Sequence, residues 1–531
     1  MGKDKSAKES LAIIDRDKVA SSYPLGVDWD IEIPDIDLTA KLDQAVANYA
    51  DQPAINFKGK KLTYRQLGEL VDRAAKGLQK AGIGKGSKVG LYMPNTPYYP
   101  VMFYAALKVG ACVVNCNTLA TQKQIAEQIA DSDTNTLVTV NLKSFQDNAE
   151  ALQQAGLIDR VINCPFQDMM PERYKFMMIA GSYLGVIRGG KKIVKKADND
   201  NTPEITSANS FISFNSLISN AGNPAPSGHT IDDEAVLQPT GGTTGGIKHA
   251  VLSHFNLVAN AEQSRNINIA MPDTPPHSKL IRPGEEKVVA ALPYFHVFGM
   301  MVAMITPLEA GAELLIEPDP APEKVMQTIH NERPRIMPVV PQLLEKMLES
   351  RKFSKYDLSS IETVISGGEA LPPQLREDFE TAVGKPDSIF QGYGLTEASP
   401  VVTFAPPSGK IKPESSGLPL PRTQIAITQL ENSSELCAFD EPGEIWVYGP
   451  QVMQQYYKKP EMTQDVLHNG WLRTGDVGYL DGDCHLHVVD RAKRMINVAG
   501  ESIHPGDIEA AINSHPEVAK NGLIQGRDPQ E

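Results

Sequence analysis

The stretch Leu237-Gln238-Pro239-Thr240-Gly241-Gly242-Thr243-Thr244-Gly245-Gly246-Ile247-Lys248-His249 gathers glycines, hydroxyls and one lysine just ahead of the apolar run Ala250-Val251-Leu252. Glycine lets the backbone take positive φ and turn several N–H groups toward one anion. The threonine hydroxyls add donors, and Lys248 adds a compact positive charge suited to phosphate. Residues of these types, so close together, could hold a polyphosphate. The spacing is not that of a Walker A loop, because Ile247 stands between Gly246 and Lys248. A Gly/Thr-rich surface turn is the alternative, and glycine content alone would favour it.

Further segments follow in order: Ala291-Leu292-Pro293-Tyr294-Phe295-His296, Ser366-Gly367-Gly368-Glu369-Ala370-Leu371, Gln391-Gly392-Tyr393-Gly394-Leu395-Thr396-Glu397, Asn469-Gly470-Trp471-Leu472-Arg473-Thr474-Gly475-Asp476-Val477-Gly478, and Asp490-Arg491-Ala492-Lys493-Arg494-Met495-Ile496. Together with the loop, they make the chain from about residue 40 onward resemble the adenylate-forming superfamily. That superfamily comprises acyl-CoA synthetases, firefly luciferase and the adenylation domains of peptide synthetases. The loop resembles its phosphate loop, the segment ending at His296 its aromatic gate, and the Gly367-Gly368-Glu369 segment its adenine-contacting loop. The run from Asn469 to Ile496 resembles the signature of fatty acyl-CoA synthetases, and the chain is most similar to the bacterial long-chain ligases among them.

The resemblance implies a chemistry and a set of roles. A carboxylate is a poor electrophile, and joining it to AMP supplies a leaving group, which splits one hard acyl transfer into two easier steps. ATP, Mg²⁺ and coenzyme A are the implied small molecules, and a fatty acid is the implied substrate. Thr240, Gly241, Gly242, Thr243, Thr244, Gly245 and Lys248 would cradle the β- and γ-phosphates. Glu397 would hold Mg²⁺, a hard cation that prefers oxygen, with Thr240 as co-ligand. Gly367, Gly368 and Glu369 would lie along the adenine; Gly392, Tyr393 and Gly394 would wall the acyl-adenylate, with Gln391 and Thr396 of the same motif beside the nucleotide. Asp476 would accept from the ribose hydroxyls and Arg491 would donate to them. Thr240, Lys248, His296 and Glu397 are the expected catalytic residues. Lys493 aligns with the hinge of a rotating C-terminal domain, and Gly500 with the glycine that lines the pantetheine tunnel.

Taken singly, these residues have plainer readings. Glu397 could be a helix N-terminal acid, Asp476 an Asx-turn, His296 a core histidine and Arg491 half of a surface ion pair. The sequence also departs from the family's pattern. Ile247 and His249 stand where proline and glycine are usual, Arg473 replaces a histidine and Cys484 an aromatic residue. A lysine-bearing segment that meets the α-phosphate in the family would lie beyond Glu531, so impaired adenylation is an expectation for the chain as written. Two alternatives stay open beside a fatty acid–CoA ligase: transfer of the acyl group to a carrier protein, and a non-catalytic acyl- or nucleotide-binding protein.

The elements that must position these groups follow an α/β rhythm. Thr63-Tyr64-Arg65-Gln66 resembles a capping box, and Leu67, Leu70, Val71, Ala74, Ala75 and Leu78 share one helical face up to Gly82. A buried strand is expected over Val89–Met93, a helix over Tyr98–Val109 and a strand over Ala111–Asn115, which implies right-handed βαβ units. After about residue 405 short strands with Gly/Pro turns suggest a small β-barrel. The expected fold is therefore α/β. A polar tail (1–40) precedes a large domain (41–489) of two doubly wound subdomains (41–235 and 236–400) and a small barrel (401–489). An incomplete α+β C-terminal domain (490–531) follows.

With 65 acidic against 51 basic residues in 531, the net charge is −14, which argues against a nucleic-acid binder. Five scattered cysteines show no metal-ligand spacing, and a reducing cytoplasm fits them; Cys112 and Cys116 read as buried thiols. The basic run Arg188–Lys196, within the insertion 173–196, could touch anionic lipid or simply be solvated. The apolar window Val288–Pro307 holds Pro293 and His296 and reads as a buried strand-turn-helix rather than a membrane span. A homodimer is among the assemblies left open.

Overall fold

The computed structural model describes residues 16–172, 210–240, 247–268, 281–409, 411–491, 496–498 and 501–503. The loop residues Gly241, Gly242, Thr243, Thr244 and Gly245, the insertion 173–196, Lys493, Gly500 and nearly all of the expected C-terminal domain lie outside these residues.

Two large mixed sheets and a smaller antiparallel one carry the chain. The first sheet has eight strands, with Lys88–Tyr92, Cys112–Asn115, Thr136–Val140, Arg160–Cys164 and Glu234–Thr240 running parallel. Lys248–Ser253 joins its edge antiparallel to Glu234–Thr240, and Gln455–Tyr456 pairs with Lys248–Ser253 in turn. The second sheet has nine strands, with Lys287–Ala290, Glu313–Ile316, Ile336–Val339, Thr363–Ser366 and Ile389–Gly394 as its parallel centre. All four residues of Ile336–Val339 and of Thr363–Ser366 are buried, as expected for strands covered on both faces.

The expected helices and strands form close to their anticipated ends. Thr63 caps the helix Tyr64–Lys80, and its side chain and that of Gln66 satisfy each other's backbone N–H groups reciprocally. Leu67, Val71, Ala74, Ala75 and Leu78 are buried beneath it. The helix Tyr98–Lys108 is buried on nearly every side, since ten of its eleven residues are shut from solvent. Such a helix must lie within the core rather than on a surface. The window Val288–Pro307 divides into the strand Lys287–Ala290, a helical turn Val297–Met300, one π-helical turn Met301–Ile305 and a further turn Thr306–Glu309. Among the described residues no helix is long and apolar enough to cross a membrane.

Two features differ from expectation. Strands are exchanged across the boundary anticipated near residue 236. Pro53–Phe57 and Lys60–Thr63 sit at the edge of the second sheet beside Glu313–Ile316, whereas Glu234–Thr240 and Lys248–Ser253 complete the first. Sheet membership is decided by long-range pairing, which local periodicity does not carry. The expected barrel is instead an open half-barrel of five antiparallel strands. Its long strand Trp471–Leu480 pairs near its start with Leu467–His468 and near its end with Leu486–Arg491. No pairing among the described residues joins Leu486–Arg491 to Gln424–Thr428, so the sheet does not close.

Cys112, Cys116 and Cys164 are buried free thiols, and Cys484 packs with Val19, Tyr23 and Trp29 in a small core of its own.

Candidate active site

A cavity of about 910 Å³ draws together residues from both large sheets and the half-barrel. Thr240, Lys248, His296, Gly367, Gly368, Gly392, Tyr393, Gly394, Thr396, Glu397, Asp476 and Arg491 all line it. Glu369 and Gln391 do not. Gln391 is buried beneath its strand, where its Nε2 donates to the Pro413 carbonyl at 2.6 Å.

Thr240 and Lys248 face each other across the antiparallel pair Glu234–Thr240 and Lys248–Ser253. Both line the cavity, so the two ends of the Gly/Thr-rich segment stand at its mouth. Lys248 Nζ stands 5.0 Å from the centre of the Tyr456 ring. The Tyr456 hydroxyl donates to Glu397 Oε1 at 2.6 Å. One tyrosine thus touches both the cation and the carboxylate, and holds them on the same wall. Glu397 itself lies on the 3₁₀ turn Thr396–Ala398, and its carbonyl accepts from Met453 N–H at 2.8 Å.

Asp476 and Arg491 are direct cross-strand partners, with Arg491 Nε 3.3 Å from Asp476 Oδ1. The Tyr393 hydroxyl donates to the other oxygen, Oδ2, at 2.6 Å. Burial pushes the Asp476 carboxyl above the ordinary aspartate range, and the Tyr393 hydrogen bond and the Arg491 charge pull against that rise. Beside them Arg473 Nε donates to both oxygens of the buried Glu444 at 2.8 Å, and both residues line the cavity. Arg473 and Glu444 thus form a charge-assisted pair on the cavity wall.

His296 ends the strand-to-helix connection, and its Nδ1 accepts from the Phe298 N–H at 3.3 Å. The remaining proton of a neutral imidazole is then on Nε2. Desolvation by the cavity walls lowers its pKa, which keeps the ring neutral near pH 7. Gly368 has φ +86°, a conformation that glycine adopts without strain, and this turns the backbone after Ser366 along the cavity wall.

Below this polar mouth the cavity continues between the second sheet and the helices packed on it. It passes Phe298, Val302 and Ile365 and reaches Val288, Ile336, Pro307, Ala310 and Ala312. Ser366 pairs with Val339 at the C-terminal strand ends, and Ile336 pairs with Thr363 at the opposite ends. Three residues at ~3.3 Å each give a descent of about 10 Å along the strands. The mouth lies where open α/β sheets bind ligands, outside the carboxyl ends of their parallel strands.

The donors and charges at the mouth suit a nucleotide triphosphate with a divalent cation: an ammonium and a hydroxyl at Lys248 and Thr240, a carboxylate at Glu397, and an acid–base pair at Asp476 and Arg491. Tyr456 and Glu444 were not singled out in the sequence. Tyr456 lies in Gln454-Gln455-Tyr456-Tyr457-Lys458, which matches no phosphate motif, and its role exists only because its strand pairs beside Lys248.

Residues 42–457 match the family of AMP-binding enzymes. A long-chain-fatty-acid–CoA ligase of Bacillus subtilis is 33% identical over 495 residues, covering 93% of this chain and 84% of that protein. One from Escherichia coli O157:H7 is 33% identical over 515 residues, covering 95% and 86%. Among solved structures, an anthranilate CoA ligase in complex with anthranoyl-AMP superposes with a TM-score of 0.75 at 21% identity, covering 92% of this chain and 84% of that one. The O-succinylbenzoate coenzyme A synthetase of Bacillus subtilis, in complex with ATP and a magnesium ion, does so at 0.69 and 23% identity, covering 90% and 85%. With the cavity, the match over most of its length and these relatives together, the chain belongs to the AMP-binding, adenylate-forming superfamily of ligases.

Proposed function

We propose that the protein activates a long-chain fatty acid with ATP and transfers the acyl group to coenzyme A. The observation that carries this reading is the shape of that cavity. Its polar mouth suits ATP, and its apolar passage continues about 10 Å along the strands, at ~3.3 Å per residue, which is deeper than an acetyl or a single aromatic ring needs. The volume falls at the upper end of that usual for small-molecule sites. The fatty acid–CoA ligases among its relatives support the same substrate class.

In the first step a carboxylate oxygen attacks the α-phosphorus, and the bond from that phosphorus to the pyrophosphate oxygen breaks. Positioning and charge neutralisation do most of this work. Lys248 and Thr240 hold the departing phosphates, while Asp476 and Arg491 fix the ribose. Glu397 and Thr240 are the groups that would hold Mg²⁺, which neutralises phosphate charge when bound. The neutral His296, presenting Nε2–H, stands beside the passage as a donor to the substrate carboxylate. In the second step the thiol sulfur of coenzyme A attacks the acyl carbon and AMP leaves, with the thiol proton passing to solvent. Gly500 and Lys493 remain the proposed tunnel and hinge positions.

The test is ATP, Mg²⁺ and hexadecanoic acid with and without coenzyme A, followed by pyrophosphate release and by mass detection of the thioester. Pyrophosphate and palmitoyl-CoA are the products this reading requires. Pyrophosphate with no thioester, but transfer to a phosphopantetheinyl carrier protein, would replace coenzyme A as acceptor. ATP binding with no pyrophosphate for any acid would leave a non-catalytic binder.

A further inference from the structure

The deep end of the cavity is not uniformly apolar. Ser264 and Asn268 lie four residues apart on the last turns of the helix His254–Asn268, and both line the cavity. Thr306 begins the helical turn Thr306–Glu309, which packs against that helix, and it lines the cavity too. Ser264 is 6% exposed and Asn268 8%. Ser264 Oγ, Asn268 Oδ1 and Thr306 Oγ1 are all buried without a hydrogen-bond partner. The Asn268 amide is oriented by its own network: Nδ2 donates to the Ser264 carbonyl at 2.9 Å, so it is Oδ1 that is left over. Each buried polar atom without a partner costs about 1–3 kcal/mol. A passage shaped for nothing but methylenes has no use for three of them at one end.

We infer that this end recognises a hydroxyl group carried near the methyl terminus of the acyl chain, so that the preferred substrates are hydroxylated long-chain fatty acids. The inference rests on the acyl-activating reading above and narrows its substrate class. The donor and acceptor types select the group. Asn268 Oδ1 can only accept, so the ligand must donate a proton; Ser264 and Thr306 can donate or accept. A hydroxyl offers both functions, and a terminal methyl offers neither. A terminal carboxylate could not satisfy Asn268, because it has no proton to donate to Oδ1. Arg265 also lines the cavity, but its charge is already paired: its Nε donates to Glu262 Oε2 at 2.7 Å, and Lys41 pairs with the same glutamate.

The sign of the expected effect separates this site from a plain alkyl passage. In an apolar pocket, adding a hydroxyl to the buried end of a ligand weakens binding, because the group loses water and gains nothing. Here it should strengthen binding. Affinities of dodecanoic, tetradecanoic and hexadecanoic acids, each unsubstituted, ω-hydroxylated and ω-carboxylated, are to be measured by calorimetry on the whole chain, with acid-dependent pyrophosphate release from ATP followed in parallel. At the length that reaches Ser264, the hydroxy acid is expected to bind about tenfold tighter than its parent, the equivalent of one well-made hydrogen bond. In Thr306→Val, and separately in Ser264→Ala, that ratio should fall toward unity or invert. The inference is overturned if the parent acid binds as tightly as the hydroxy acid at every length, or if the dicarboxylic acid binds tightest. Absence of pyrophosphate with every acid would defeat the ligase reading, and the affinity ratio would still decide this one.

Discussion

The two ends of the cavity treat their polar groups in opposite ways. At the mouth, the charged side chains are already held by one another: Tyr456 on Glu397, Tyr393 and Arg491 on Asp476, Arg473 on Glu444. At the deep end, Ser264, Asn268 and Thr306 each keep a buried atom without a partner. A pre-formed network fixes orientation before the ligand arrives, which suits the placement of phosphates and a reacting carboxylate. Unpartnered atoms cost stability in the free protein and are repaid only by a ligand that matches them, which suits selection among chains. Catalytic placement and substrate choice thus occupy separate ends of one cavity.

The sharpest way to break this contrast is at the mouth. Glu397→Ala should lower acid-dependent pyrophosphate release by about 10²–10³-fold, the usual loss on removing a group that stabilises transferred charge. Binding of the fatty acid alone should hold, and a parallel loss of acid affinity would mean that the two ends are not separate.

Glu309 tests the deep end through pH. Burial pushes its carboxyl up to about 8, with the nearby Glu262 adding to the rise and Lys41 and Arg265 opposing it. A folded-state pKa raised above that of the unfolded chain means stability that is whole below the unfolded value and is lost as pH rises toward 8. Glu309→Gln, which does not titrate, should therefore gain on the wild type between pH 4.5 and 8, by roughly 5 kcal/mol in denaturant unfolding. Equal stability of the two proteins at pH 8 would show that the carboxyl is not desolvated. Release kinetics at saturating ATP should change less than stability does.

Smaller effects sharpen the mouth. Asp476→Ala strips Tyr393 and Arg491 of their shared acceptor and should raise the KM for ATP about 10–30-fold, as loss of a charged hydrogen bond does. Its effect on kcat should be the lesser one. Tyr456→Phe keeps the ring beside Lys248 and removes only the hydroxyl on Glu397. A three- to tenfold loss, about 1 kcal/mol, is expected, read as a higher Mg²⁺ requirement with ATP affinity little altered. A loss independent of Mg²⁺ would separate Tyr456 from the metal.

The same contrast explains what the sequence could reveal. The mouth is built from short contiguous runs, such as Thr240–Lys248, Gly367-Gly368 and Gly392–Glu397, in which glycine and charge types are themselves the signal. The helices Tyr64–Lys80 and Tyr98–Lys108 were legible for a similar reason, since caps and apolar spacing are local. The deep end has no such signal. His254–Asn268 reads as a polar surface helix, H-F-N-L-V-A-N-A-E-Q-S-R-N-I-N, yet twelve of its fifteen residues are buried. Asn256, Asn260 and Gln263 donate to distant carbonyls, including those of Val401, Pro421 and Pro450, which no local pattern shows. Tyr456 and Glu444 escaped notice on the same grounds, because their partners lie 59 and 29 residues away.

The central claim is that nucleotide and acyl chain share one continuous cavity, and chain-length dependence in Val302→Phe tests it most directly. Val302 lies on the π-helical turn and lines the passage below His296. Acid-dependent ATP–pyrophosphate exchange across a series from butanoic to hexadecanoic acid should show the added ring abolishing exchange with the long acids while the short ones keep theirs. An equal fall at every chain length, or no change at any, would contradict the account.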